Sequence, residues 1–239
     1  MAVTVQDMFQ AGVAADNYML RDVIYFDRPS KIVTLQELTI THVNVTPAIQ
    51  SLGGRPAVGG AGAGASTDGS NYQMGVAGHR FVAGKQTRIF GSTYLGDSTN
   101  HAFFLGLAVV STSLTANLDG GTPGTDYFGL HKKATVASIQ LRSRKASGTE
   151  EAITLPITPA DAQWIDWQIL IAPSAVTAGL GNATVYARQN LGAWTTLATM
   201  PIGSQLPDTV SMGLGWGWRA GSANTSTFGC HVLGIEREY

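Results

Sequence analysis

Beyond about residue 137, large apolar side chains recur at every second position. Ala137, Ile139 and Leu141 alternate with Ser138, Gln140 and Arg142, Trp167, Ile169 and Ile171 keep the same step, and Ala183, Val185 and Ala187 alternate with Thr184, Tyr186 and Arg188. A period of two sends successive side chains to opposite faces of an extended strand, so each run predicts a strand with one buried face. The longest run puts Val210, Met212, Leu214, Trp216 and Trp218 on one face and Ser211, Gly213, Gly215 and Gly217 on the other. No helical period fits it. Phe103 to Val110 is apolar on both faces, as in a central strand covered from both sides. Further runs predict strands near 88–94, 126–132, 151–156, 194–199 and 228–237. The total is roughly ten strands, divided by turn formers such as Asp119-Gly120-Gly121, Pro123-Gly124 and Gly179-Leu180-Gly181-Asn182.

The first third of the chain reads differently. Residues 1–37 scatter Met8, Phe9, Val13, Met19, Leu20, Val23 and Ile24 among Asp and Arg without steady alternation, which predicts an irregular N-terminal arm. From residue 38 the pattern turns strand-like, with Leu38 and Ile40 in one phase and Val43 and Val45 in the other, a slip that predicts a bulge. Residues 53–70 (GGRPAVGGAGAGASTDGS) combine little apolar bulk with much glycine and predict a surface loop. Only one segment in the second half has helical signals, Thr158 as cap, Pro159 at the first position and Asp161 at the third, predicting a short helical turn through Trp164. Many short strands with almost no helix between them argue for sheet packed on sheet, an all-β antiparallel sandwich over residues 38–239.

Composition narrows the function classes. The formal net charge is -1 and charged residues make up 13% of the chain, so the broad basic footprint of a nucleic-acid partner is missing and no nucleic-acid role is expected. No apolar run reaches the length of a membrane span, and the sequence from Met1 to Asp7 lacks a leader pattern, so neither a membrane nor an export role is expected. A single cysteine, Cys230, rules out an internal disulfide and is expected to be a small buried hydrophobe.

The chemistry-bearing residues do not assemble into a motif. A glycosidase built on a sandwich needs two carboxylates facing one sugar ring, but the Glu150-Glu151 neighbours point to opposite faces of a strand and are expected to be solvated. The five histidines, His42, His79, His101, His131 and His231, lack metal-ligand spacing. Asp97-Ser98-Thr99-Asn100 and Asn117-Leu118-Asp119-Gly120 have oxygen donors for calcium, but Asp and Asn are also ordinary turn residues. Lys132, Lys133, Arg142, Arg144 and Lys145 read as a solvated, charged sheet edge. The expectation is no enzyme, no metal and no cofactor. Two features are left as a ligand face: the flat floor of Gly213, Gly215 and Gly217, and Trp194, which with Trp216 and Trp218 could stack on a sugar.

Residues 78–239 resemble the concanavalin-like, laminin-G-like jelly rolls found among structural proteins of tailed-bacteriophage virions. The resemblance is carried by Arg88-Ile89-Phe90, Phe103 to Val110, Asp126-Tyr127-Phe128-Gly129-Leu130-His131-Lys132, Asp166-Trp167 and Val232-Leu233-Gly234-Ile235-Glu236-Arg237. It implies a non-enzymatic virion component assembled in the host cytoplasm, foremost a capsid decoration or cement protein whose partners are further copies of itself and other virion proteins, the major capsid protein first. On that reading the arm holds neighbouring subunits through Phe9, Tyr18, Tyr25 and Phe26. The alternative it implies is a carbohydrate-binding module of a tail fibre or tailspike, with a surface glycan as partner.

Overall fold

The alternating runs become strands of two antiparallel sheets. The structure is a computed structural model that describes residues 19–25, 38–46, 48–62, 64–65, 68–74, 78–82, 84–111, 118, 123–134, 136–173, 181–221 and 227–238. Its strands are β1 (Met19–Tyr25), β2 (Leu38–Val43), β3 (Ala48–Leu52), β4 (Arg55–Ala61), β5 (Gly69–Met74), β6 (Thr87–Leu95), β7 (His101–Ala108), β8 (Tyr127–Lys132), β9 (Ile139–Arg144), β10 (Glu151–Thr154), β11 (Gln163–Pro173), β12 (Gly181–Gln189), β13 (Thr195–Ile202), β14 (Gly213–Ala220) and β15 (Thr227–Glu238). The eight-stranded sheet runs β13-β12-β11-β6-β15-β4-β3, with β1 also paired to β15; the seven-stranded sheet runs β10-β9-β8-β7-β14-β5-β2. Among the described residues there is no helix.

Between the sheets lies one core, to which both contribute. The seven-stranded sheet supplies Leu105, Leu107, Leu130, Leu141, Leu214, Trp216 and Trp218, and the other sheet Ile89, Ile165, Trp167, Ile169, Val185, Phe228 and Ile235. Phe228 is its centre: its ring stacks on Trp218 at 5.6 Å and lies 5.5 Å from Trp216. Trp216 and Trp218 are therefore core residues and not sugar platforms, in line with the alternation that places them opposite the glycines. Trp167 donates its indole N–H to Thr93 Oγ1 at 2.9 Å, which lets a large polar-tipped ring be buried without leaving a donor unpaired. Cys230 is buried in this core, where burial pushes its thiol well above the ordinary range.

Four readings change. The glycine-rich stretch read as a loop over 53–70 is largely strand: Gly53 and Gly54, both at positive φ, make a tight turn between β3 and β4, and Gly69 and Ser70 open β5. Glycine is needed there because neighbours press close, as where Gly60 faces the Val45 side chain and Gly59 the Phe228 carbonyl. Part of the arm read over 1–37 is strand β1, paired with β15 through seven register positions from Met19↔Glu238 to Tyr25↔Val232. The phase slip near residue 43 is a strand end, since β2 runs in unbroken register with β5 and Asn44 follows at φ 51°. The helical turn expected at 158–164 is a turn at Asp161-Ala162 leading straight into β11, with the Ala162 N–H bonded to Leu95 O at 2.7 Å. A cap and a proline mark where a helix can start, but here the extended pairing of β11 with β6 takes the chain.

Candidate functional site

The expected glycine floor lies on the outer face of the seven-stranded sheet, and register widens it beyond β14. Gly215 pairs with Gly106 of β7, and Gly106 with Gly129 of β8. A row of three glycines therefore crosses three strands, closed by Gln73 of β5 at one end and Arg142 of β9 at the other. A flat floor of this kind invites a ligand or another stretch of backbone. The chain itself supplies the backbone. The Gln73 amide donates to Ala108 O at 3.0 Å and Val109 O at 3.2 Å and accepts from Ser111 N–H at 2.9 Å, while the Asn71 amide donates to Ser111 O at 3.1 Å. These bonds lay the start of the β7–β8 connection across the floor. A Cβ on Gly213 would stand 2.9 Å from Val110 Cγ2, and one on Gly215 3.2 Å from Gln73 Cγ. Leu118, farther along the same connection, is buried against Ala102, Phe104 and Tyr127.

Beside this floor four polar side chains form a chain. His131 Nε2 donates to Leu118 O at 2.9 Å, so its Nδ1 is left to accept from Arg142 Nη1 at 2.5 Å, and the imidazole is held neutral in one tautomer. Burial drives His131 down to about 4, with the Arg142 charge acting the same way. Arg142 also pairs with Glu150, whose other oxygen accepts from the Tyr127 hydroxyl. Burial pushes the Glu150 carboxyl up to about 7. Glu150 is thus not the solvated residue expected, and Arg142 and Lys132 are buried and not part of a solvated edge. Glu151 turns away and accepts from Gly203 N–H at 3.1 Å. The two neighbouring carboxylates serve different partners, as strand alternation requires.

The outer face of the eight-stranded sheet is built around Asp166 and Trp164 of β11. The Asp166 carboxylate is buried and accepts from Arg55 Nη1 at 2.7 Å, Ser92 Oγ at 2.7 Å and Arg188 Nε at 2.9 Å. A buried carboxylate survives when hydrogen bonds and opposite charge replace the lost water, and here two guanidinium groups do so. The Arg55 guanidinium lies 5.2 Å from the Trp164 ring centroid and that of Arg188 4.9 Å from Trp194. Trp164 ties down two turns: its indole N–H donates to Leu52 O at 2.6 Å, its backbone N–H to Asn190 Oδ1 at 3.1 Å, and its carbonyl accepts from Asn190 N–H at 3.0 Å. Trp194 is half-buried in the β12–β13 connection of this sheet, so it shares no face with the glycine floor of the other.

The remaining candidates have local partners. Asp97 Oδ1 accepts from the Thr99 and Asn100 N–H groups at 2.9 and 2.8 Å, and Oδ2 from Asn100 Nδ2 at 2.8 Å. The fully buried Lys132 ammonium donates to Thr99 O at 3.2 Å, His101 O at 2.8 Å and Lys133 O at 3.2 Å, so the loop read as a calcium candidate holds a built-in cation. Burial lowers that ammonium to about 8. His101 is buried between Trp218 and Phe228, and burial takes it down to about 4. Among the described residues no three His, Cys, Asp or Glu side chains group as metal ligands. Phe9, Tyr18, Phe26 and most of the 117–120 loop lie outside the described residues, and Tyr25 is described only through its place in β1. From sequence Asp166 was read only with Trp167 as a strand start and not as a charged centre; its signal was a carboxylate set among Trp164, Ile165 and Trp167 in a strand that buries both faces.

Two sheets of this order, with the first and last described strands paired, match a known architecture over nearly the whole chain. The fold is that of the lectin-like, concanavalin-like sandwiches. A Shewanella oneidensis MR-1 protein of unknown function superposes with a TM-score of 0.62 at 13% identity, covering 98% of this chain and 92% of that one. Peanut lectin in complex with a nine-residue peptide gives 0.59 at 8% identity, over 92% and 97% of the two chains. The CBM2 module of the evolved Dit of Lactobacillus casei BL23 phage J-1 gives 0.50 at 11% identity, over 92% and 96%. Enzymes share the fold, among them an endo-1,3-beta-glucanase from Streptomyces sioyaensis and an alginate lyase from Aplysia kurodai. No protein-family model matches the sequence. No curated protein matches it in sequence either.

Proposed function

We propose that this protein is a non-enzymatic structural component of a phage virion, a sandwich that decorates a particle by binding neighbouring protein subunits, the major capsid protein foremost. The observation that carries the reading is the closed glycine floor: where a sandwich of this kind can offer an open face, Gln73 and Asn71 tie residues 108–111 of the same chain across it. The charged groups around it, Arg142 and Glu150, are paired with each other. Asp166 on the opposite sheet is likewise taken up by Arg55, Arg188 and Ser92. Side chains spent on one another rigidify a building block and leave little to do chemistry on a bound molecule. A phage protein module among the fold's neighbours is compatible with this setting.

Because β1 is part of the sandwich, the anchoring role falls to residues 1–18, which carry Phe9 and Tyr18. A variant starting at residue 19 keeps β1 and is expected to fold but to occupy particles weakly. Full occupancy by that variant would remove the arm from the proposal. Trp194, half-buried beside Arg188, supports a second reading as a glycan-binding module of a tail fibre or tailspike. A glycan array decides between them, since a decoration protein gives no signal there.

A further inference from the structure

The turn between β12 and β13 departs from what its backbone asks for. Gly192 N–H donates to Gln189 O at 2.8 Å, closing a four-residue turn whose two central residues, Asn190 and Leu191, stand at φ 47° and 65°. Two positive φ values in sequence are the signature of a type I′ turn, which favours Asn at the first position and Gly at the second. Asn190 conforms. Leu191 does not: its Cβ crowds the backbone in the left-handed region, where leucine is disfavoured. Among the described residues the other five non-glycine residues at positive φ are Asn, Ala or Ser. The protein thus keeps a large apolar side chain where glycine fits better.

The strained residue is also on display. Leu191 is 49% exposed, more than Val43, Val82 or Val136, the other exposed large hydrophobics among the described residues. It is also held rigidly, because the two Asn190 bonds to the Trp164 backbone clamp the turn onto β11. Gly192 and Ala193 beside it are exposed, and from Asn190 to Ile202 the chain carries no charged residue. At the base of the tip the Arg188 guanidinium lies over Trp194, and one carboxylate, Asp166, faces two guanidinium groups there. A rigid, apolar projection with an excess positive charge at its foot has the chemistry of an interface anchor.

We infer that Leu191 is a docking knob, which inserts into an apolar socket with a carboxylate at its rim on a neighbouring protein subunit. The inference rests on the proposed virion role and deepens it by naming the surface that meets the partner. A leucine tip offers a glycan no hydrogen bond, so the knob itself suits a protein socket. Strain retained for rigid display also explains why a glycine has not taken the position: glycine relieves the backbone but removes the knob.

The test compares wild type with Leu191→Gly, Leu191→Asn and Leu191→Met in co-sedimentation with particles of the native source stripped of this protein, alongside thermal melts. Leu191→Gly and Leu191→Asn are expected to melt at or above the wild-type temperature yet bind at least tenfold more weakly, whereas Leu191→Met keeps wild-type binding. If wild type binds and both polar or small variants bind as tightly, the knob is refuted while the virion role stands. Wild-type protein that fails to bind the particles removes both. Co-sedimentation of wild type, but not Leu191→Gly, with phosphatidylglycerol vesicles would make the tip a lipid contact and overturn the protein socket.

Discussion

On the seven-stranded sheet the outward residues at the centre are small, Gly106, Gly129, Gly213 and Gly215, and the chain crosses back over them, fastened by the amides of Asn71 and Gln73. On the eight-stranded sheet the outward residues at the centre are large and charged, Trp164, Asp166 and Arg188, and two turns dock on them from either side. The first face is closed by hydrogen bonds between neutral groups that glycine allows to come near. The second is held by an ion cluster whose carboxylate has no access to water. A neutral amide bonded to backbone loses little when one partner goes, but a buried ion left without its partner loses much. The two faces of one sandwich should therefore answer differently to the same kind of damage.

Replacing Asp166 with Ala strands two guanidinium groups and should cost about 3–5 kcal/mol, read as a drop in urea midpoint at pH 7. A midpoint within experimental error of wild type would show that Arg55 and Arg188 find water instead. Acid probes the seven-stranded sheet, whose adjacent strands β7 and β8 carry His101 and His131. His101 and His131 titrate near 4 in the folded protein and near 6.5 when unfolded, so below 6.5 the unfolded chain binds protons that the native one refuses. The stability contributed by the two histidines should be full above pH 6.5 and be lost as pH drops toward 4, by on the order of 3 kcal/mol for each, offset in part by Glu150, whose raised carboxyl takes up its proton in the folded state first. His131→Phe should lessen that slope in urea titrations at pH 7 and pH 5, and an unchanged slope would show that His131 is not the source.

Gln73→Ala, on the neutral face, should cost about 1–3 kcal/mol and speed amide exchange at Ser111, whose N–H loses its acceptor. If it costs as much as Asp166→Ala, the contrast between the faces collapses. Smallest in size and opposite in sign is Leu191→Asn, which relieves the left-handed leucine and should raise stability by up to about 1 kcal/mol in the same urea assay.

Period-two alternation was enough to place β9, β11, β12 and β14 and to assign Trp216 and Trp218 to the side opposite the glycines. It failed where strands are made of small residues. β4, Arg-Pro-Ala-Val-Gly-Gly-Ala, has almost no apolar side chain to betray a period, because the Val45 and Trp218 side chains stand against Gly60 and Leu52 packs with Ala57. The glycine row had the same limit. Gly213, Gly215 and Gly217 are visible along one strand, but Gly106 and Gly129 join Gly215 only through register, which no local pattern encodes. The Asp166 cluster draws Arg55 from 111 residues away, and Glu150 meets Tyr127 across 23, so charge read along the chain took Glu150 and Arg142 for solvated surface. Seeing what packs over each group required the fold.

The pairing of β1 with β15 has a mechanical corollary. Because the two strands are antiparallel, residues 19 and 238 sit side by side at one end of the ladder and residues 25 and 232 at the other. A pull applied at 19 and 238 would load a single rung at a time and peel β1 away like a zipper, at low force. Tension applied at residue 19 along the strand would instead load all seven rungs together, so how hard β1 is to tear loose depends on the direction of the pull.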